Sequence, residues 1–127
     1  MAYRILVTDD NSDYRQIVIE ILQLEEFDVI EAANGEKAVE KAITQKPELI
    51  LCDVDMPLMD GFSVLEAVKS NPTTRHIPFF LVTGRADAAS LQRGDELGAD
   101  DYLLKPMNID VLLMKIEQYL PKGKLTE

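Results

Sequence analysis

The stretch LILCDVDMPLMDGF, residues 49–62, decides the fold predicted for this chain. Its first four residues are apolar, which is typical of a strand buried on both faces, yet Asp53 follows them directly and Asp55 and Asp60 come soon after. A buried strand accepts a charge where the strand ends and the side chain finds solvent or a ligand. The stretch therefore predicts a central strand whose carboxyl end presents a functional carboxylate at Asp53.

The rest of the chain alternates short apolar runs with amphipathic segments. The apolar runs predict strands at residues 3–7, 27–32, 48–52, 78–83 and 102–104. The amphipathic segments predict five helices, which begin after Asn11 or Ser12, at 34–35, after Gly61, at Ala86 and after Asn108. Strict alternation indicates an α/β fold, a parallel sheet with helices on both faces. Gly94, inside the fourth helix, predicts that this helix is intrinsically weak.

Composition narrows the class of protein. A chain of 127 residues with a formal net charge of −10 is the size of one domain and lacks the basic clusters that direct nucleic-acid binding requires. No apolar run reaches the roughly 20 residues that span a bilayer, and the first residues lack the pattern of a signal peptide. Since Cys52 is the single cysteine, we expect a cytoplasmic protein without disulfides, in which Cys52 is a core residue.

Polar residues follow four of the predicted strands. Because the carboxyl ends of parallel strands share one edge of the sheet, we expect these residues to converge near the point where the strand order reverses. They are Asp9, Asp10, Asp53, Thr83, Gly84 and Lys105. Separately, each has an ordinary explanation, such as a helix cap for Asp9 or Asp10 and a solvated surface position for Lys105. Together, three carboxylates repel one another unless a cation lies among them, and oxygen ligands of this kind favour Mg²⁺.

The same set suits phosphoryl transfer. A carboxylate beside Mg²⁺ and a lysine can attack a phosphoryl group and form an acyl phosphate. In this interpretation Asp53 is the nucleophile, and Lys105 and the Thr83 hydroxyl bind phosphoryl oxygens. Gly84 leaves room for a bulky donor.

Four segments, VTDDN (7–11), DVDMPLMDG (53–61), LVTGRA (81–86) and GADDYLLKP (98–106), resemble in order the signature blocks of the response-regulator receiver family of two-component signalling. The resemblance covers nearly the whole chain. It implies a stand-alone receiver of the chemotaxis type or a receiver excised from a longer chain. It implies a flavodoxin-like, doubly wound sheet of order 2-1-3-4-5 with five helices. It also implies a receiver domain over residues 1–122 with a short tail at 123–127.

The resemblance further implies a role for each site residue. Asp53 matches the phosphorylated aspartate. Asp10 matches the direct Mg²⁺ ligand, Asp9 the ligand that acts through water, and Asp55 the ligand that acts through its backbone carbonyl. Thr83 and Tyr102 match the switch residues, and Lys105 matches the phosphate-binding lysine, which is joined to Pro106 by a cis bond. Met107 departs from the phenylalanine common at its position.

A second hypothesis concerns Asp55 and Arg85, both at the predicted mouth of the site. Their opposite charges would pair there and slow hydrolysis of the phosphorylated state.

Such a protein is a regulatory phospho-acceptor and not an enzyme with its own substrate. The implied partners are a histidine kinase or phosphotransfer protein as donor and a downstream protein target, with neither nucleic acid nor membrane contacted directly. The target would be controlled through the surface of the fourth helix, fifth strand and fifth helix, in a monomer or a phosphorylation-dependent dimer.

Two other functions remain open from the residues alone. Asp53-Val54-Asp55 also resembles the nucleophile motif of haloacid-dehalogenase-type phosphatases, in which the second aspartate is an acid/base. Alternatively, the fold could serve as a binding module without phosphorylation.

Overall fold

The structure, a computed structural model, describes residues 2–85 and 87–121. Its strands are β1 (Arg4–Thr8), β2 (Asp28–Ala32), β3 (Leu49–Asp53), β4 (Phe79–Thr83) and β5 (Asp101–Leu104). Its helices are α1 (Ser12–Leu24), α2 (Gly35–Gln45), α3 (Gly61–Ser70), α4 (Ala88–Leu97) and α5 (Ile109–Tyr119). The predicted alternation of strands and helices is confirmed. The predicted first residue of the fourth helix, Ala86, and the tail at 123–127 lie outside the described residues.

The strands form one parallel sheet of order β2-β1-β3-β4-β5. The predicted doubly wound, flavodoxin-like order 2-1-3-4-5 is therefore confirmed. From β1 the chain turns one way to β2, and from β3 onward it builds the other side of the sheet. The reversal places a crevice beyond the carboxyl ends of β1 and β3, where such sheets bind their ligands.

β3 is buried on both faces, as the opening stretch predicts. Leu49 and Leu51 pack in the cluster formed with α1 and α5, whereas Ile50 and Cys52 pack in the cluster formed with α2 and α3. Successive side chains of a strand point to opposite faces, so an unbroken apolar run fills both layers. Asp53 is the last residue of this strand and not the first after it.

All five helices begin at a side-chain cap. The caps are Asn11, Asn34, Asp60, Asp87 and Asn108, and each accepts a hydrogen bond from the backbone N–H three residues later. Asn11 is thus the cap of the first helix, which the sequence left open between Asn11 and Ser12. Asp60 is fixed in the same role, since its carboxylate accepts the Ser63 N–H at 2.9 Å. α4 begins at Ala88 because Asp87 caps it.

Gly61 lies at the closest approach of α3 to β3. Its N–H donates to the Val54 carbonyl at 2.9 Å, and a Cβ built on Gly61 would lie 2.4 Å from the Asp53 carbonyl oxygen. Glycine is required here by space, since the neighbouring atoms belong to backbone. The contact anchors the end of β3, and with it Asp53.

The single cysteine is a core residue, as the sequence predicts. Cys52 is fully buried, and burial together with the nearby Asp53 charge raises the pKa of its thiol well above the usual value, as suits a core residue. Among the described residues, no helix combines the length and the apolar character needed to span a membrane.

Candidate functional site

Three carboxylates meet in the crevice between β1 and β3. Asp9 and Asp10 follow β1, and Asp53 ends β3, so the parallel sheet brings them together although more than 40 residues separate them. One oxygen of each lies within 4.8 Å of the others. Asp9 and Asp53 are each 4 % exposed, whereas Asp10 is exposed to solvent. The predicted convergence of these residues is present in the structure.

Lys105, which follows β5, reaches into this cluster. Its Nζ lies 3.1 Å from Asp9 Oδ2 and 3.3 Å from Asp53 Oδ1. Burial lowers the pKa of Lys105, but the hydrogen bond to Asp9 and the charge of Asp53 outweigh burial and leave the pKa raised. The ammonium is therefore charged near neutral pH, and it offsets part of the negative charge of the cluster.

Asp53 is the carboxylate whose pKa departs most clearly from its usual value. Burial, followed by the negative charge of Asp9, raises the pKa to about 6, although Lys105 acts in the opposite direction. Both causes disfavour the ionised form. One lysine does not neutralise the cluster, so the site retains an excess of negative charge.

The composition of the cluster fits a divalent cation. All three converging groups offer carboxylate oxygen, and a hard ion such as Mg²⁺ takes oxygen ligands and retains several waters. A cation would also relieve the repulsion that raises the pKa of Asp53. The donor set therefore fits Mg²⁺, with Asp10 at the solvent side.

Thr83 and Gly84 lie across the crevice at the end of β4. The buried Thr83 hydroxyl oxygen accepts a hydrogen bond from the Arg85 N–H at 3.0 Å. A Cβ on Gly84 would meet nothing within 4 Å, so this side of the site is open.

Tyr102 lies on β5, where it pairs with Leu81 of β4, and its side chain is bound to α4. Its hydroxyl donates to Asp95 Oδ1 at 2.6 Å and approaches the Leu91 carbonyl oxygen at 2.9 Å. Gly94 permits this approach, because a Cβ there would lie 2.6 Å from the Tyr102 hydroxyl. Among the ten residues of α4, all of them described, Gly94 alone is buried. Gly94, which predicted a weak helix, is therefore also the residue against which Tyr102 packs.

Arg85 and Asp55, each two residues beyond a residue of the site (Thr83 and Asp53), form an ion pair. Arg85 Nη2 lies 2.7 Å from Asp55 Oδ1, and both side chains are largely exposed. Beside the pair lies an open cavity of about 590 Å³, lined in part by Met56, Phe62 and Arg93. The predicted pairing of Asp55 with Arg85 is present, so the Asp55 carboxylate already has a charged partner.

Sequence reasoning missed two residues of α1 that contact the site. The ring of Tyr14 lies under Lys105, with Nζ 4.4 Å from the ring centroid. Arg15 Nη1 donates to the Asp9 carbonyl oxygen at 2.7 Å. Tyr14 follows the same helical spacing as the apolar residues Ile17, Val18 and Ile21, which is typical of the core face of a helix. Its position in the first turn was the available signal, because helical side chains lean back over the preceding turn, which here faces the site.

The sequence profile of the response regulator receiver domain matches residues 5–117. The chain belongs to this family. Among its relatives, the response regulator PleD of Caulobacter vibrioides is 40% identical over 125 residues, which are 98% of this chain and 27% of that protein. The chain thus spans about a quarter of the length of PleD.

Solved structures of receiver proteins are similar to this structure over nearly the whole chain. The Vibrio cholerae chemotaxis protein CheY4 matches with a TM-score of 0.89 and 31% identity over 94% of this chain and 99% of that one. The receiver domain of the sensor histidine kinase PA1611 of Pseudomonas aeruginosa, solved with a magnesium ion in its active-site cleft, matches with a TM-score of 0.87 and 25% identity, over 94% and 98% of the two chains. As a receiver domain, the protein is a regulatory phospho-acceptor of two-component signalling, and its acidic crevice is compatible with Mg²⁺.

Proposed function

We propose that this receiver domain is a signalling switch that accepts a phosphoryl group on Asp53 from a histidine kinase or phosphotransfer protein. One observation carries the proposal: the Asp53 carboxylate stands at the end of a buried strand, 3.3 Å from the Lys105 ammonium and among two further carboxylates. This arrangement combines a nucleophile with the charges that phosphoryl transfer needs.

The transfer forms one bond and breaks one. An Asp53 carboxylate oxygen attacks the phosphorus atom, the bond to the donor's leaving atom breaks, and an acyl phosphate results. With a pKa of about 6, Asp53 is mostly ionised at pH 7 even without a cation. Lys105 would move from the carboxylates to a phosphoryl oxygen, and the Thr83 hydroxyl would bind another. The open space beside Gly84 would admit the donor.

Mg²⁺ belongs to the same proposal. Asp10 and Asp53 would hold it directly, Asp9 through water, and Asp55 through its backbone carbonyl. When bound, it would neutralise charge on the phosphoryl oxygens.

The readout would pass through Thr83 and Tyr102. A phosphoryl group adds negative charge and acceptor oxygens at Asp53, which would draw the Thr83 hydroxyl away from the Arg85 N–H. Tyr102 already binds the Leu91 carbonyl and Asp95, so a change at Thr83 would be transmitted to α4. The surface of α4, β5 and α5 would then bind the downstream protein or a second receiver, in the cytoplasm.

The proposal is tested by incubating the protein with acetyl phosphate and Mg²⁺ and measuring its intact mass. We expect the wild type to gain one phosphoryl group, stable in acid and labile in base, and Asp53→Asn to gain none. A wild type that gains no such group, while its fold is intact by circular dichroism, would refute phosphorylation and favour a binding module. Adduct formation on Asp53→Asn would place the acceptor elsewhere.

Within the same proposal, the Arg85–Asp55 pair restricts the approach of water to phosphorylated Asp53. We expect Arg85→Ala to increase the rate of dephosphorylation about twofold to fivefold, since an exposed ion pair contributes roughly 0.2–1 kcal/mol. Release of inorganic phosphate from the purified phosphorylated protein measures this rate. Lys37→Ala, which removes the exposed Lys37–Glu40 pair elsewhere, is the control and should leave the rate unchanged.

A double-mutant cycle separates the pair from its members. If the pair is the barrier, Asp55→Ala should resemble Arg85→Ala, and the double variant should be no faster than either. Rates that multiply in the double variant would show that the two side chains act independently, which would contradict the barrier.

A further inference from the structure

The ring of Tyr14 contacts the Lys105 ammonium, in addition to the Asp9 and Asp53 carboxylates. Asp9 Oδ2 lies 3.1 Å and Asp53 Oδ1 3.3 Å from Nζ, and the centroid of the Tyr14 ring lies 4.4 Å away. This distance is within the range in which a cation is attracted to the face of an aromatic ring. Tyr14 stands in the first turn of α1, one turn beyond Asp10. The same segment therefore supplies two of the carboxylates and the ring.

We propose that Tyr14 is a positioning residue, which holds the Lys105 ammonium over the acceptor carboxylate through the face of its ring. The inference rests on the proposed function, because it assigns Tyr14 a role in the phosphorylation of Asp53. Tyr14 acts through Lys105 and needs no contact with the phosphoryl group itself.

The flexibility of the lysine side chain explains why a third contact is needed to hold the ammonium in place. A lysine carries its charge on a flexible stem with several rotatable bonds, so carboxylates alone leave the ammonium free to move from one oxygen to the next. A further carboxylate would hold the ammonium but would compete with the phosphoryl oxygens for it. A neutral ring attracts the ammonium while leaving its full charge for the incoming phosphoryl group.

The contact is made by the ring and not by the hydroxyl. The Tyr14 hydroxyl oxygen is buried and approaches the backbone of Met107, but it makes no hydrogen bond of normal geometry with any residue in the described part of the chain. Burial raises the pKa of the phenol, against the influence of Lys105, so the side chain is neutral at pH 7. The inference therefore distinguishes two substitutions: Tyr14→Phe keeps the ring, whereas Tyr14→Leu removes it and retains an apolar side chain.

The first measurement locates the ammonium without any phosphorylation. In the metal-free protein, the Lys105 ε-CH₂ proton resonances, assigned by their loss in Lys105→Arg, should be shifted upfield by the Tyr14 ring current. We expect the shift to persist in Tyr14→Phe and to disappear in Tyr14→Leu. An unshifted wild-type resonance would overturn the contact.

The second measurement is the rate of phosphorylation by acetyl phosphate at saturating Mg²⁺. We expect Tyr14→Leu to be about fivefold slower than the wild type, and Tyr14→Phe to restore most of the rate. Ile17→Ala, on an exposed position of the same helix, is the matched control for a general disturbance of α1. The concentration of Mg²⁺ that gives half of the maximal rate should be similar in all of them, because the ring is not a ligand.

The outcomes separate this inference from the function on which it rests. A wild type that is not phosphorylated, but whose Lys105 resonance responds to Tyr14→Leu, refutes the proposed function and with it the positioning role. A phosphorylated wild type with a Tyr14→Leu rate within twofold of it overturns the inference alone. A Tyr14→Phe variant as slow as Tyr14→Leu also overturns it, since the hydroxyl would then be the active part. If Tyr14→Leu does not fold, Tyr14→Phe alone tests the role of the ring. Loss of both the phosphorylation rate and the Lys105 resonance shift in Tyr14→Phe would contradict that role, and retention of both would support it.

Discussion

Replacing Gly61 by alanine is expected to destabilise the protein by about 3 kcal/mol or more. The added Cβ would lie 2.4 Å from the Asp53 carbonyl oxygen and 2.8 Å from Val54 Cα. Both atoms belong to the backbone at the end of β3, so no side-chain rotation relieves the overlap. Either α3 moves away from β3 or the strand end shifts. Urea denaturation monitored by circular dichroism measures the change in the free energy of unfolding.

Gly84→Ala is the matched control for this substitution. A Cβ at Gly84 meets nothing within 4 Å, so we expect the free energy of unfolding to stay within about 1 kcal/mol of the wild type. The folded fraction of Gly61→Ala should also be phosphorylated poorly, because the shifted backbone carries Asp53. A Gly61→Ala protein as stable as Gly84→Ala would show that α3 and β3 can separate at little cost.

The second large effect runs in the opposite direction: Asp53→Asn should stabilise the metal-free protein by about 2 kcal/mol at pH 7. The pKa of Asp53 rises from 3.8 in the unfolded chain to about 6 in the fold, so ionising this group opposes folding. Asparagine is similar in shape and has no charge. Lys105 keeps its hydrogen bond to Asp9 when the Asp53 charge is removed.

The sign of the pH dependence follows from the raised pKa. Below about pH 4, Asp53 is protonated in both states, and the variant should gain little. Between pH 4 and pH 6 the folded protein retains a proton that the unfolded chain has lost. The contribution of Asp53 to stability therefore falls over this window, and the advantage of the variant grows to its full size above pH 6.

Thermal unfolding in EDTA between pH 4 and pH 8 tests this dependence. Glu66→Gln removes one negative charge from an exposed position on α3, and it should change stability little at any pH. If Asp53→Asn is no more stable than the wild type at pH 7, or if its advantage is largest at pH 4, the strain assigned to the carboxylate cluster is wrong. A confirmed advantage would show that Asp53, the proposed acceptor, is kept at a cost in stability.

Much of this architecture could be predicted from the sequence. The unbroken apolar run at 49–52 fixes a strand buried on both faces, and strict alternation of strands and helices leaves few topologies for a parallel sheet. Since the polar residues follow the strands directly, the crevice containing Asp9, Asp53 and Lys105 follows from topology alone. The sequence does not show whether Asn11 or Ser12 caps the first helix, because both side chains suit that role. The choice depends on the backbone geometry.

The parts that could not be predicted depend on the distance between side chains on different elements. Gly94 in the sequence signals a weak helix. Its second role, admitting the Tyr102 hydroxyl to within 2.9 Å of the Leu91 carbonyl, requires the packing of α4 on β5. Tyr14 satisfies the apolar periodicity of α1, so periodicity alone does not predict its contact with Lys105, and only its position in the first turn of the helix indicates it. Periodicity identifies the face of a helix but not its height above a neighbouring site.

The crevice draws its groups from the ends of separate strands, and Lys105 meets Asp9 across 96 positions of the chain. No continuous segment of the protein holds enough of these groups to work alone. Under the proposed function, phosphorylation of Asp53 therefore requires β1, β3, β4 and β5 to be assembled in one sheet, because each of them positions a group of the site. The proposed uptake of a phosphoryl group would thus report the native fraction of a preparation, and a partly unfolded molecule would be silent in signalling rather than wrongly active.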